Sequence, residues 1–188
     1  VEIAEPDVRV WLNVAEVHRE FFSSIEDIAD AKAEILEGAT STTTVVANAA
    51  DSRVMARLSG FPGSIATFGF DVEASVSASE IEDRGLDGTR ALLQTPVGSA
   101  TVTTPLLGLA NLSNVLAAVA VAVQLDVPLV AAVERVAQVE AAPHRGQVYR
   151  LRRGIVVVDD SYNSSPQAVE AMLATLTRDL RERRLVAV

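Results

Sequence analysis

The densest group of chemically capable side chains is Asp159-Asp160-Ser161-Tyr162-Asn163-Ser164-Ser165-Pro166. It follows four β-branched residues, Ile155 to Val158, and ends in a proline suited to a helix start. Acids at the carboxyl end of a strand are well placed for ribose hydroxyls, which makes Asp160 a ligand candidate. Asp and Asn are also ordinary turn residues, and that reading stands beside the first. Ser161 and Asn163 share the loop and are lesser candidates. Upstream, Arg145 offers a guanidinium that could meet a phosphate.

A second group lies near the start. Asn13 and His18 follow a β-rich run, Val8 to Val14, at the strand end where open α/β sheets bind ligands. A histidine there could hold a metal or its water shell, or be an ordinary hydrogen-bonded imidazole. Lys32 is the only lysine among sixteen basic residues, which suggests that a primary amine is needed there. Its spacing from Ile25, Ile28 and Ile35 places it on the apolar stripe of a helix. A lysine partly withdrawn from water loses proton affinity, and the neutral amine can add carbon dioxide to become an anionic carbamate. The alternative is an ammonium that snorkels into solvent. Asn111 and Asn114 sit three apart at the head of an apolar helix. Asn111 reads as an N-cap, or the two carboxamides together could read the edge of a base.

These residues need a frame. Strands are expected at Val8–Val14, Val45-Val46 and Ser64–Phe68, with helices at Ile25–Leu36 and Ser52–Leu58 between them. Ser23 and Ser24 are candidate caps for the first helix, with Glu26 completing a capping box, and Gly38 should stop it. This rhythm predicts an α/β fold with a mostly parallel sheet and crossover helices. From Ala74 to Thr104 alternating stretches predict a small antiparallel β-ribbon flanking that sheet. Asn111 to Leu125 should be a buried helix, and Pro128 opens another to about Val139. Ala141-Ala142-Pro143 divides residues 1–141 from residues 142–188, which would begin a second, Rossmann-like α/β domain. There, strands are expected at Val148–Leu151 and Ile155–Val158, a helix from Pro166, and a strand beginning at Leu185–Val188.

Composition narrows the classes. At 188 residues and 49% hydrophobic, the chain can bury a core and is not disordered. A net charge of −9 argues against a nucleic-acid partner, which needs a basic face. There is no cysteine, so disulfides and thiolate metal sites are excluded. The longest apolar run, Val115 to Val123, falls well short of the roughly 20 residues of a membrane span. No signal-peptide pattern opens the chain, and a cytoplasmic location is expected. No GxxxxGK[ST] phosphate loop is present, although the candidates above suggest nucleotide handling.

Three stretches, in this order, resemble the Mur ligases, which build peptidoglycan precursors. NVAEVHREFFSSIEDIADAKAEI is similar to the family's pattern of an Asn, a His and a helix with an Ala-Lys pair. LLGLANLSNVLAAVAVA is similar to its Gly-x-His-Asn-x-x-Asn helix. DDSYNSSP resembles the DDSYNANP of the member that adds D-alanyl-D-alanine to UDP-MurNAc-tripeptide. The resemblance implies ATP and Mg2+ as cofactors and those two molecules as substrates, in a full-length protein that is a monomer. It implies that Lys32 is carbamylated and supports magnesium together with His18. Asn111 and Asn114 would face the nucleotide, Asn114 the adenine, with Arg145 toward the phosphates and Asp160 on the ribose. Residues 1–141 would be part of the ATP-binding domain, with its phosphate loop upstream of Val1, so the chain alone is expected to be inactive. Asn48-Ala49-Ala50-Asp51 resembles the family's Asn-Ala-Asp-Asp with one acid lost at Ala50, and Ala110, Ser23, Arg19 and the Pro143-His144-Arg145-Gly146 context also depart from the family pattern. A non-catalytic binding paralogue and a folylpolyglutamate synthase-like ligase are the competing readings.

Overall fold

A computed structural model describes residues 4–15, 22–162, 165–178 and 185–186. One six-stranded sheet, in the order of the chain, holds β1 (Val8–Trp11), β2 (Thr44–Asn48), β3 (Ser64–Phe70), β4 (Val76–Asp83), β5 (Thr89–Thr95) and β6 (Gly98–Thr104). Strands β1 to β4 run parallel, and β5 and β6 then alternate in direction. The expected ribbon is therefore not a separate flank but half of the same sheet.

The join is made at β3 and β4. These strands pair in parallel over only Phe68↔Val76, Gly69↔Ser77 and Phe70↔Ala78. A parallel connection ordinarily needs a long crossover. With so short an overlap, the loop 71–75 suffices. Thr67 and Ser75 lock it through paired main-chain and hydroxyl contacts, and Asp71 turns the chain at φ 58°. A Cβ on Gly69 would lie 2.6 Å from Val72 Cγ1, so the returning loop needs glycine there.

Alternation along β1 and β2 divides the core into two. Trp11, Val45 and Ala47 face α1 (Ile25–Ala33) and α2 (Ser52–Ala56), burying Ile28, Ala29, Val54 and Leu58. Val46 faces the other side, where α3 (Gly108–Gln124) and α4 (Leu129–Val136) cover Phe68, Val76, Leu93 and Val102. Residues of period two on the strands and an apolar helix thus produce a three-layer packing. Phe68, Leu93, Leu112 and Leu116 are fully buried; each such side chain contributes roughly 1.5–3 kcal/mol.

Several local expectations are corrected. The cap of α1 is Ser24 with Asp27 as its reciprocal partner, not Ser23 with Glu26. The helix ends at Ala33 in a 3₁₀ turn, Glu34–Leu36. Buried Arg9 seals that end, donating from Nη1 to the carbonyls of Ile35 and Glu37 at 2.7 Å each. Helix α3 starts three residues before Asn111, with Leu107 at the cap.

Past residues 141–143, β7 (Gln147–Arg150) and β8 (Val156–Asp159) form an antiparallel pair, followed by α5 (Pro166–Arg178). Helix α5 meets the main body where Gly108 approaches Thr175, and Arg150 pairs with Asp87 at 2.8 Å. Leu185 and Val186 have no regular structure, and the rest of the strand expected there lies outside the described residues.

Candidate functional site

Topology sets where ligands can bind. Because β5 reverses and β6 reverses again, β6 ends at the same edge as β1 to β4. The head of α3 therefore emerges at the carboxyl edge that also carries Asn13 and Asn48. This is the edge at which open α/β sheets bind ligands. Leu109, in the first turn of α3, shares a cavity of about 540 Å³ with Phe70, Asp71 and the bulged stretch Ser77–Ile81 of β4.

At the end of β1, Lys32 Nζ donates to the Asn13 carbonyl at 2.8 Å. Lys32 is exposed, which corrects the expectation of an amine withdrawn from water. The α1 stripe buries Ile28 and Ala29, whereas Lys32 in the last turn reaches across to the strand exit. Asn13 is exposed as well and serves through its main chain. His18 lies outside the described residues. Among the described residues no three His, Cys, Asp or Glu side chains gather as a metal site.

Two residues beside this pair, Asn48 and Asp51, were noted in the sequence only as part of a motif and given no role. Asn48 Nδ2 donates to the Leu12 carbonyl at 3.0 Å while its Oδ1 accepts from the Ala50 amide. Asp51 accepts from the Val14 amide at 2.6 Å through Oδ2, and from Arg53 and Val54 through Oδ1. Asp51 is thus the N-cap of α2. An aspartate directly before Ser52 was the available signal. Both residues line a cleft of about 290 Å³ with Val14, Ala50, Ser52 and Arg53.

At the head of α3 the amides are engaged differently. Asn111 is half-buried and donates from Nδ2 to the Leu107 carbonyl at 2.9 Å, one turn back. It is therefore not the N-cap, because its side chain serves a carbonyl inside a helix already begun. Asn114 is exposed and donates from Nδ2 to Asn111 Oδ1 at 3.4 Å.

The Asp159–Tyr162 turn holds the rest. Arg145 Cζ stands 4.1 Å from the ring centre of Tyr162, whose amide donates to the His144 carbonyl. Burial pushes the Asp160 carboxyl above its usual range, against the pull of Arg145 and the Gly146 amide. Neighbouring Asp159 goes the other way. Hydrogen bonds from Ser161 (2.7 Å) and His144 (2.8 Å) hold its carboxyl below the usual range. Ser161 is thereby a partner of Asp159, and Asn163 lies outside the described residues. His144, at φ 61°, occupies a left-handed conformation that favours glycine. Its ring hydrogen bond with Asp159 and the Gln147 side chain on its amide secure it.

An open α/β sheet with amide, amine and acid groups gathered at its carboxyl edge places the chain in the class of α/β domains that bind ligands there. Residues 1–122 match the Mur ligase middle domain, and the chain belongs to that family. It is 31% identical over 179 residues to the UDP-N-acetylmuramoyl-tripeptide–D-alanyl-D-alanine ligase of Escherichia coli K12, covering 94% of this chain and 39% of that protein. To the UDP-N-acetylmuramate–L-alanine ligase of Desulforapulum autotrophicum it is 28% identical, covering 97% and 40%. The crystal structure of MurF from Acinetobacter baumannii superposes with a TM-score of 0.87 at 28% identity, over 94% of this chain and 38% of that one. MurF from Thermotoga maritima in complex with ADP gives 0.81 at 27% identity, over 94% and 40%. The chain thus spans about 40% of the length of these relatives.

Proposed function

We propose that this chain serves an ATP-dependent ligase that adds D-alanyl-D-alanine to UDP-MurNAc-tripeptide. In this reading residues 1–141 belong to the ATP-binding domain and residues 142–188 begin the C-terminal domain. The observation that carries it is the Asp159–Tyr162 turn, where Arg145, Asp160 and Tyr162 gather beside a strand end. The 31% identity to the Escherichia coli ligase supports the same step. The 28% identity to the L-alanine ligase makes that step the alternative.

The reaction moves the γ-phosphoryl group of ATP to a substrate carboxylate, giving an acyl phosphate and ADP. The amine of the dipeptide then attacks the acyl carbon, an amide forms, and phosphate leaves with the electron pair of the broken C–O bond. Asn114, an exposed carboxamide at the head of α3, is suited to the donor edge of adenine. Asp160 accepts from ribose hydroxyls, and Arg145 meets phosphate oxygens with its fork of donors. Fixing these groups in a dry site lowers the barrier mainly by orientation and charge neutralisation. Magnesium, when bound, supplies further neutralisation of phosphate charge. His18 and a Lys32 carbamate would hold it. The described residues alone bring together no three His, Cys, Asp or Glu side chains as a ligand set.

The test is magnesium-dependent phosphate release by the full-length protein with UDP-MurNAc-tripeptide, with D-alanyl-D-alanine added or withheld. Release that requires the dipeptide is expected. Release that follows L-alanine with UDP-MurNAc instead assigns the other step. Absence of turnover in folded protein with either substrate pair refutes both and favours a binding paralogue. The 188-residue chain alone is expected to hydrolyse no ATP.

A further inference from the structure

The main chain that leaves β1 is held from three sides. Leu12 offers its carbonyl to Asn48 at the end of β2, Asn13 its carbonyl to Lys32 in α1, and Val14 its amide to Asp51 at the head of α2. Three consecutive residues thus each give one main-chain group to a side chain from a different element. Such a segment could instead pair with water, so the arrangement fixes its path more tightly than chain connectivity does. Asp51 divides its work, with Oδ2 for the strand exit and Oδ1 for its own helix. Asn48 divides likewise, Nδ2 outward to Leu12 and Oδ1 to its own turn.

We infer that Asn48 and Asp51 are positioning residues that fix segment 12–14 as the platform on which the Lys32 amine is oriented. This deepens the reading of Lys32 as a functional amine and rests on it. The Asn13 carbonyl is a single acceptor, and both an ammonium and the N–H of a carbamate can donate to it. Holding that carbonyl in place fixes the direction of the Lys32 nitrogen in either form. The remaining valences of the nitrogen, or the carboxylate it acquires, then point toward the open side of the site. No contact from Asn48 or Asp51 to a substrate is required, so neither is a catalytic residue.

The division of labour inside each side chain supplies the test. In Asp51→Asn only one oxygen remains, so the side chain can cap α2 or hold Val14 but not both, and asparagine caps as well as aspartate. In Asn48→Asp the turn to Ala50 is kept while the donor to Leu12 is lost. Because Lys32 is the only lysine of residues 1–188, selective 13Cε labelling of this 188-residue chain gives a single lysine resonance. Wild type and both variants are compared by amide hydrogen exchange at Val14 and by this resonance, with and without 13C-bicarbonate. Both variants are expected to melt within a few degrees of wild type by circular dichroism. Exchange at Val14 should rise by about tenfold in Asp51→Asn, as expected for losing a hydrogen bond to a charged group. In both variants the Lys32 resonance should move toward that of a free, averaged lysine. Unchanged Val14 exchange in Asp51→Asn, or a Lys32 resonance unaltered in both variants, overturns the inference. These readouts need no ATP turnover, so failure of the ligase assignment would show separately. If Asp51→Asn fails to fold, Asn48→Asp alone decides through the Lys32 resonance.

Discussion

Arg145 stands with its guanidinium carbon 4.1 Å from the centre of the Tyr162 ring, and its charge also acts on Asp160. A cation held against an aromatic face is oriented before any anion arrives. Tyr162→Ala should raise the KM for ATP by roughly two- to fivefold, the worth of an exposed cation–π contact, whereas Tyr162→Phe should stay near wild type. Arg145→Lys should cost about tenfold, because an ammonium lacks the planar fork. Equal losses in the two Tyr162 variants would show that the hydroxyl matters rather than the ring.

Asp159 and Asp160 are adjacent yet should respond to pH in opposite senses. The Asp159 carboxyl is lowered by Ser161 and His144, so it contributes stability above its unfolded value. That contribution disappears as pH falls below about 4, through the lowered folded value. Asp159→Asn should therefore be less stable than wild type at neutral pH and converge with it in acid. The Asp160 carboxyl is raised, chiefly by burial, so ionising it costs stability as pH rises past the same region. Asp160→Asn should be at least as stable as wild type at pH 7. Urea melts across pH check both signs.

Gly108 combines two constraints at the seam between the main body and α5. Its φ is 77°, and a Cβ would lie 2.8 Å from Thr175 Oγ1. Gly108→Ala should destabilise by about 1–3 kcal/mol through strain and overpacking. Adding Thr175→Ala should recover the contact part and leave the backbone part. Complete recovery would mean that the left-handed conformation costs nothing here.

Lys32→Arg should abolish ligation by the full-length protein, with no rescue by bicarbonate. Arginine can still donate to the Asn13 carbonyl, so the tie to the strand exit is preserved while carbamate formation is lost. Steady-state ligation by this variant at the wild-type rate would remove the carbamate from the scheme.

Much of the frame was legible because its signals are local. The alternation in Ala74–Thr104 and the Pro166 helix start appear where the residues predicted them. The single sheet was not legible, because a three-pair parallel overlap leaves no mark on a sequence whose cue for parallel strands is an intervening helix. Lys32 was misjudged for a related reason. Spacing from three isoleucines gives a helix face, but in a nine-residue helix the last turn overhangs the core and reaches the neighbouring strand. Asn48 and Asp51 stood in a recognisable motif, but their role was not legible because their partners are main-chain groups some 36 or 37 positions away. The Asp159 turn was found from its residue types, and only the structure showed its two acids in opposite environments.

The abrupt change of strand direction after β4 also bears on how the chain folds. Strands β4, β5 and β6 are joined by short turns, so their contacts close small loops and can form early. By contrast, β1 must find β2 across α1 and its 3₁₀ turn, a costlier closure. Conservative substitutions at Leu93 or Val102 should therefore slow folding, while those at Trp11 or Val45 should mainly speed unfolding. The order expected is a meander first, with Val76–Ala78 on its free margin as the edge to which β3, then β2 and β1, add.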